Sequence, residues 1–146
     1  MKKGFQLIDH TADAGIRVWG PGWKEVLEEA AKGMVSLIID LTTVLAKEER
    51  TVQIEGENGE EILLNWLREI LFLMEQGGMV FSKFMVEEDN FSHKKADKYW
   101  FSGKLVGEKV DPTRHDICTE IKAVTRHNFT LRKKGLLWEA EIIFDL

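Results

Sequence analysis

The closing stretch Leu136-Leu137-Trp138-Glu139-Ala140-Glu141-Ile142-Ile143-Phe144-Asp145-Leu146 alternates apolar and acidic side chains. On an extended backbone Trp138, Ala140, Ile142, Phe144 and Leu146 take one face, and Glu139, Glu141 and Asp145 take the other. That is a strand with a dry side and a wet side. Terminal residues are normally frayed, so a strand packed at this point would hold its acids rigidly. Acids held that way attract a cation or a basic partner.

Working outward, Lys133-Lys134-Gly135 predicts the turn of a hairpin, and residues 127–132, 117–124, 99–106 and 80–86 read as further strands. Between them, residues 87–98 are highly charged and predict an exposed loop. The first half is different. Residues 5–9 and 16–19 read as short strands around the polar run Asp9-His10-Thr11-Ala12-Asp13, and Gly20-Pro21-Gly22 predicts a turn. Leu27, Ala30, Met34 and Leu37 then recur at helical spacing, predicting a helix from Trp23 to about Ile38 with Asp40 just beyond it. Residues 51–55 read as a strand. Asn58, with Glu61 three residues on, is the start signal of a second helix that should stop at Gly77-Gly78. Ile62, Leu63, Trp66, Leu67, Ile70, Leu71 and Met74 cover most of its circumference, so it should be the most buried element. The expected class is α+β: a single domain over residues 1–146, with two helices packed on one face of a largely antiparallel sheet.

Composition narrows the function. At 146 residues, with 44% hydrophobic and 31% charged side chains, the chain suits one soluble domain with a self-sufficient core. Cys118 is the lone cysteine, so no internal disulfide forms, and a small core residue in a strand is the expected role. No leader-like or membrane-spanning apolar run is present, which makes the cytoplasm the expected compartment. A net charge of −5 disfavours unaided binding along nucleic-acid phosphates.

Two constellations carry chemistry. Asp13, Asp40 and Asp145 all fall at element ends. Asp40 would lie at the negative end of a helix, a cost that a bound cation reverses. Three carboxylates with backbone or terminal oxygens form a shell for Ca²⁺, Mg²⁺ or Mn²⁺. The same spacing also fits three solvated acids that never meet. The second constellation is Asp111-Pro112-Thr113-Arg114-His115 followed by Glu120-Ile121-Lys122-Ala123-Val124-Thr125-Arg126-His127. Arg114 and His115 could bind phosphate or carboxylate, and Glu120 with Lys122 could equally be a plain surface pair. His10, His115 and His127 lack the Cys/His spacing of a zinc site. Nucleophile elbows, phosphate loops and Ser-His-Asp signals are missing from the sequence.

Several of these segments together resemble the archease family: Asp9-His10-Thr11-Ala12-Asp13-Ala14-Gly15 with Val18-Trp19-Gly20, Asp111-x-x-Arg114-His115, Glu120-Ile121-Lys122-Ala123-Val124-Thr125-x-His127, and Ile143-Phe144-Asp145-Leu146. Leu64-Asn65-Trp66-Leu67 and Val80-Phe81-Ser82-Lys83-Phe84 are similar too. The resemblance spans nearly the whole chain, and only Ala14 and Arg126 depart from it, where a larger aliphatic and an aromatic residue are expected. It implies a cytosolic accessory protein, itself without covalent chemistry, for the RtcB-type RNA ligase of tRNA splicing. That ligase uses GTP and Mn²⁺ and acts on RNA. The family implies promotion of ligase guanylylation and multiple turnover. It also implies a bound divalent cation, commonly Ca²⁺, on Asp13, Asp40 and Asp145, with the Leu146 carboxylate as a further ligand. Around them His10, Arg114, His115, Lys122 and His127 would contact phosphate or partner, or orient the acids by hydrogen bonds. A stand-alone metal-dependent hydrolase or phosphoesterase and a protein-binding chaperone or modifier are the other classes these residues allow.

Overall fold

The computed structural model describes residues 2–9, 13–93 and 96–146. In chain order its elements are β1 (Gly4–Asp9), β2 (Asp13–Gly20), α1 (Trp23–Ile38), a 3₁₀ turn (Leu41–Thr43), β3 (Glu48–Gly56), α2 (Gly59–Glu75), β4 (Met79–Asp89), β5 (Tyr99–Lys109), β6 (Ala123–Lys134) and β7 (Leu137–Asp145). Both helices start where the sequence signals them. The Asn58 side chain accepts the Glu61 N–H at 2.9 Å and caps α2. The α+β class and the antiparallel pairing are as expected. The strands form two sheets, however, ordered β1-β2-β7-β6 and β3-β5-β4.

The helices join those sheets. α1 packs on β1, β2 and β7 of the larger sheet and β4 of the smaller, and α2 bridges β6 on one side to β3, β4 and β5 on the other. Trp66 is the centre of this arrangement. It is fully buried, stacks edge-on against Phe101 with centroids 5.2 Å apart, and donates its ring N–H to the Leu27 carbonyl of α1 at 2.9 Å. Gly103 of β5 leaves room for it: a Cβ there would come within 2.6 Å of the indole. On β7, Ala140, Ile142 and Phe144 are buried as the alternation requires, while Leu146 stays exposed.

Four local expectations need correction. Residues 117–122 form no strand; β6 begins only at Ala123 and runs on through residues 127–132. The apolar residues there are not one strand face, because Ile121 is buried while Ile117 is 51% exposed. Cys118 is exposed, so it is not a core residue. The β6–β7 turn is Gly135-Leu136, with Lys133 and Lys134 still in the strand, and Gly135 at φ 61° occupies the loop position that favours glycine. The charged stretch expected as a loop starts later, because β4 runs to Asp89. Phe91, beyond it, packs against Trp23 and Phe101.

Candidate functional site

β2 and β7 pair so that Asp13 lies directly opposite Asp145, and β6 places Ala123 on the far side of Asp145 in the same row. Opposed residues have Cβ atoms roughly 5 Å apart, and like charges directly opposite destabilise the ladder. Among the described residues neither aspartate has an ion-pair partner. Two of the three expected acids are therefore held together by strand register alone. Exposed Lys122 lies beside them and donates its backbone N–H to the Asp145 carbonyl at 2.7 Å.

Asp40 is placed differently. It follows the end of α1, but its side chain caps the next element, the 3₁₀ turn. Oδ1 accepts from the Thr42 N–H at 3.0 Å and the Thr42 hydroxyl at 2.8 Å. Those two bonds hold its carboxyl below the usual aspartate range, the hydroxyl being the larger cause. Donors of the following turn thus offset part of the cost expected at a helix C-terminus. Among the described residues no three His, Cys, Asp or Glu side chains converge as a metal-holding group. The donor set fits a hard cation in part: an in-register pair, and a third acid with Oδ2 unused by its own turn.

The segment 118–122 connects these places. Cys118 N–H donates to the Ile38 carbonyl at the end of α1, and Lys122 N–H to Asp145, both at 2.7 Å. The chain between those amides spans at most about 14 Å, so the Asp40 turn and the aspartate pair share one end of the molecule.

Glu108, near the end of β5, is the residue that the sequence did not reveal. It is only 3% exposed, and both its oxygens accept hydrogen bonds. Oε1 accepts from Arg114 at 2.5 Å, and Oε2 accepts from the Leu45 N–H at 2.7 Å and from His115 Nε2 at 3.1 Å. Arg114 foremost, then the Leu45 amide, lowers its pKa to about 2 despite burial. His115 Nδ1 accepts the Asp111 N–H at 2.9 Å, so the ring proton sits on Nε2 and points to Glu108. His115 is buried with both nitrogens used and offers no face to an outside phosphate. Arg114 also spends its guanidinium inward, on Glu108 and on the Thr43 carbonyl at 3.3 Å. Both orient the turn that follows Asp40, and Arg114, whose side chain is 39% exposed, also pairs with Asp111 at 3.5 Å. An acid at a strand end looks like any surface acid in sequence, and the residues that identify Glu108 are brought to it only by folding.

His127 sits on an irregularity of β6, where residues 126–129 face the single residue Ile142 between the Thr125 and Thr130 pairings. Asn128 there has φ 53°, and His127 is exposed. Such bulges re-aim side chains at sheet edges. His10 lies outside the described residues.

The archease protein family model matches residues 5–146. The chain is 43% identical to the protein archease of Methanopyrus kandleri, covering 97% of this chain and 99% of that one. It is 34% identical to that of Pyrococcus abyssi, covering 99% of each. Its fold superposes on the solution structure of protein 1598 of Methanobacterium thermoautotrophicum with a TM-score of 0.82 at 33% identity, covering 98% of this chain and 99% of that one. The crystal structure of an archease, "possible chaperone", from Thermotoga maritima shares the fold with a TM-score of 0.56 at 19% identity, covering 95% and 94%.

Proposed function

This chain belongs to the archease family, and on that premise we propose that it is an accessory activator of an RtcB-type, GTP-dependent RNA ligase in tRNA splicing. It would have no covalent chemistry of its own and would promote ligase guanylylation and multiple turnover. The observation that supports this reading is the Asp13–Asp145 pair, two opposed carboxylates with no ion-pair partner among the described residues. Carried on a chain of net charge −5, they suit the basic RNA- and GTP-binding cleft of a ligase.

A divalent cation, Ca²⁺ first and Mg²⁺ or Mn²⁺ after it, would be held by Asp13 and Asp145 beside Leu146, with Asp40 joining through Oδ2. Once bound it would supply positive charge that stabilises phosphate oxygens. The rest falls to the protein's own side chains. Glu108, Arg114 and His115 hold the Thr43 turn and so position Asp40. Lys122, exposed and bonded through its backbone to Asp145, would offer an ammonium to phosphate or partner, and His127 a contact on the adjacent bulge. The cytoplasm is the compartment this role requires; among the described residues no helix is long and apolar enough to cross a membrane.

The test is guanylylation of a cognate ligase with radiolabelled GTP at substoichiometric amounts of this protein, wild type beside Asp145→Ala. Stimulation by the wild type and its loss in the variant are expected. A wild type that leaves guanylylation unchanged overturns the reading. Phosphoesterase activity without ligase would favour the hydrolase class instead. Stimulation indifferent to Asp13, Asp40 and Asp145 would favour a chaperone, the word used of the Thermotoga protein.

A further inference from the structure

A cavity of about 200 Å³ lies beneath residues 117–121, and Ile38, Leu71, Met79, Ile117 and Ile121 make its walls almost entirely apolar. It is open at the surface: Ile117 is 51% exposed and Val110 38%. Apolar surface of this kind, gathered around a concavity, marks a contact for another molecule. Among the described residues the rim carries one sign of charge, because Glu75 and Glu120 line the cavity and no basic residue does. Glu75 closes α2, whose last turn contains no basic residue. The helix C-terminus and the carboxylate therefore add their negative potentials at the same point, a pairing that favours an incoming cation twice over. The outer wall is the segment anchored to Ile38 at one end and to Asp145 at the other, so an occupant would sit alongside the acidic edge.

We propose that this cavity seats one apolar side chain of the ligase, an aromatic or branched aliphatic residue flanked by Lys or Arg that meet Glu75 and Glu120. The proposal rests on the ligase reading above and adds the surface through which the ligase is held.

Binding of a fluorescently labelled cognate RtcB-type ligase tests it, read by anisotropy with wild type, Ile117→Ser and Glu75→Lys, each checked by thermal melting. Ile117→Ser removes the open wall, and Glu75→Lys reverses the rim charge on an exposed position where a cation suits the helix end. Each is expected to raise Kd by at least about tenfold, and Glu75→Lys should also flatten the salt dependence. Should Ile117→Ser lower the melting temperature, the Glu75→Lys result decides. Wild-type-like binding by Glu75→Lys and by a folded Ile117→Ser, alongside weakened binding by Asp145→Ala, overturns the cavity as the seat and leaves the ligase reading standing. Absence of any wild-type binding or stimulation overturns both.

Discussion

Glu108 and the Asp13–Asp145 pair place the same chemical group in opposite settings. Glu108 is buried and both of its oxygens are engaged: a guanidinium and an imidazole N–H from one stretch of chain and a backbone amide from another converge on it. The aspartates stand directly opposed across two strands, with no ion-pair partner among the described residues. A carboxylate whose donors are all internal holds structure together. A carboxylate pair that repels itself gains from whatever cation or basic group arrives. The difference separates a residue that shapes the site from residues that would use it, although both are acids at element ends.

The largest expected effect breaks the internal network. Glu108→Ala leaves the Leu45 amide without its acceptor and reduces Arg114 and His115 to longer contacts with the Thr43 carbonyl, and a fall in Tm on the order of 10 °C by differential scanning calorimetry is expected. Asp145→Ala should do the reverse, leaving Tm nearly unchanged while reducing stimulation of ligase guanylylation by at least about tenfold. Acid sharpens the contrast. Glu108 has a folded pKa of about 2 against an ordinary 4.5, so the unfolded chain binds more protons between those values. Its contribution is complete above pH 4.5 and is lost as the pH falls toward 2. Denaturant titrations across that window should show a shallower acid dependence for Glu108→Gln than for wild type. The smallest effect probes the pair itself. In chelator, Asp13→Asn should be more stable than wild type by about 0.2–1 kcal/mol, because the opposed charge is gone. Saturating Ca²⁺ should reverse that order by stabilising the wild type alone; unchanged melting in Ca²⁺ would remove the cation from the account.

Much of the fold was legible because its signals are local. The helix spanning Trp23–Ile38 follows from apolar residues at helical spacing, and the start of α2 from Asn58 and Glu61. The alternation of β7 was equally plain. Two of the misreadings, the strand at 117–122 and the core role of Cys118, share one cause. Residues 117–122 look like a strand in isolation, but their backbone is taken by Ile38 on one side and Asp145 on the other, and that leaves Cys118 outside. For the site, Asp13, Asp40 and Asp145 could be named from sequence. Whether they meet could not, and the structure joins two of them while giving Asp40 to Thr42. Arg114 and His115 could be named as well, but their direction, inward to Glu108, could not.

Sequence by itself determined the two helices, most of the strands and the family, since periodicity, caps and motif spacing act over a few residues of one chain. Tertiary structure alone decided the division into two sheets, the register that opposes Asp13 to Asp145, the burial of Glu108 and the open cavity under Ile117. Each of those depends on contacts between residues far apart in sequence, where which partner is met, and not which residue is present, sets the energy of a charge or an apolar side chain.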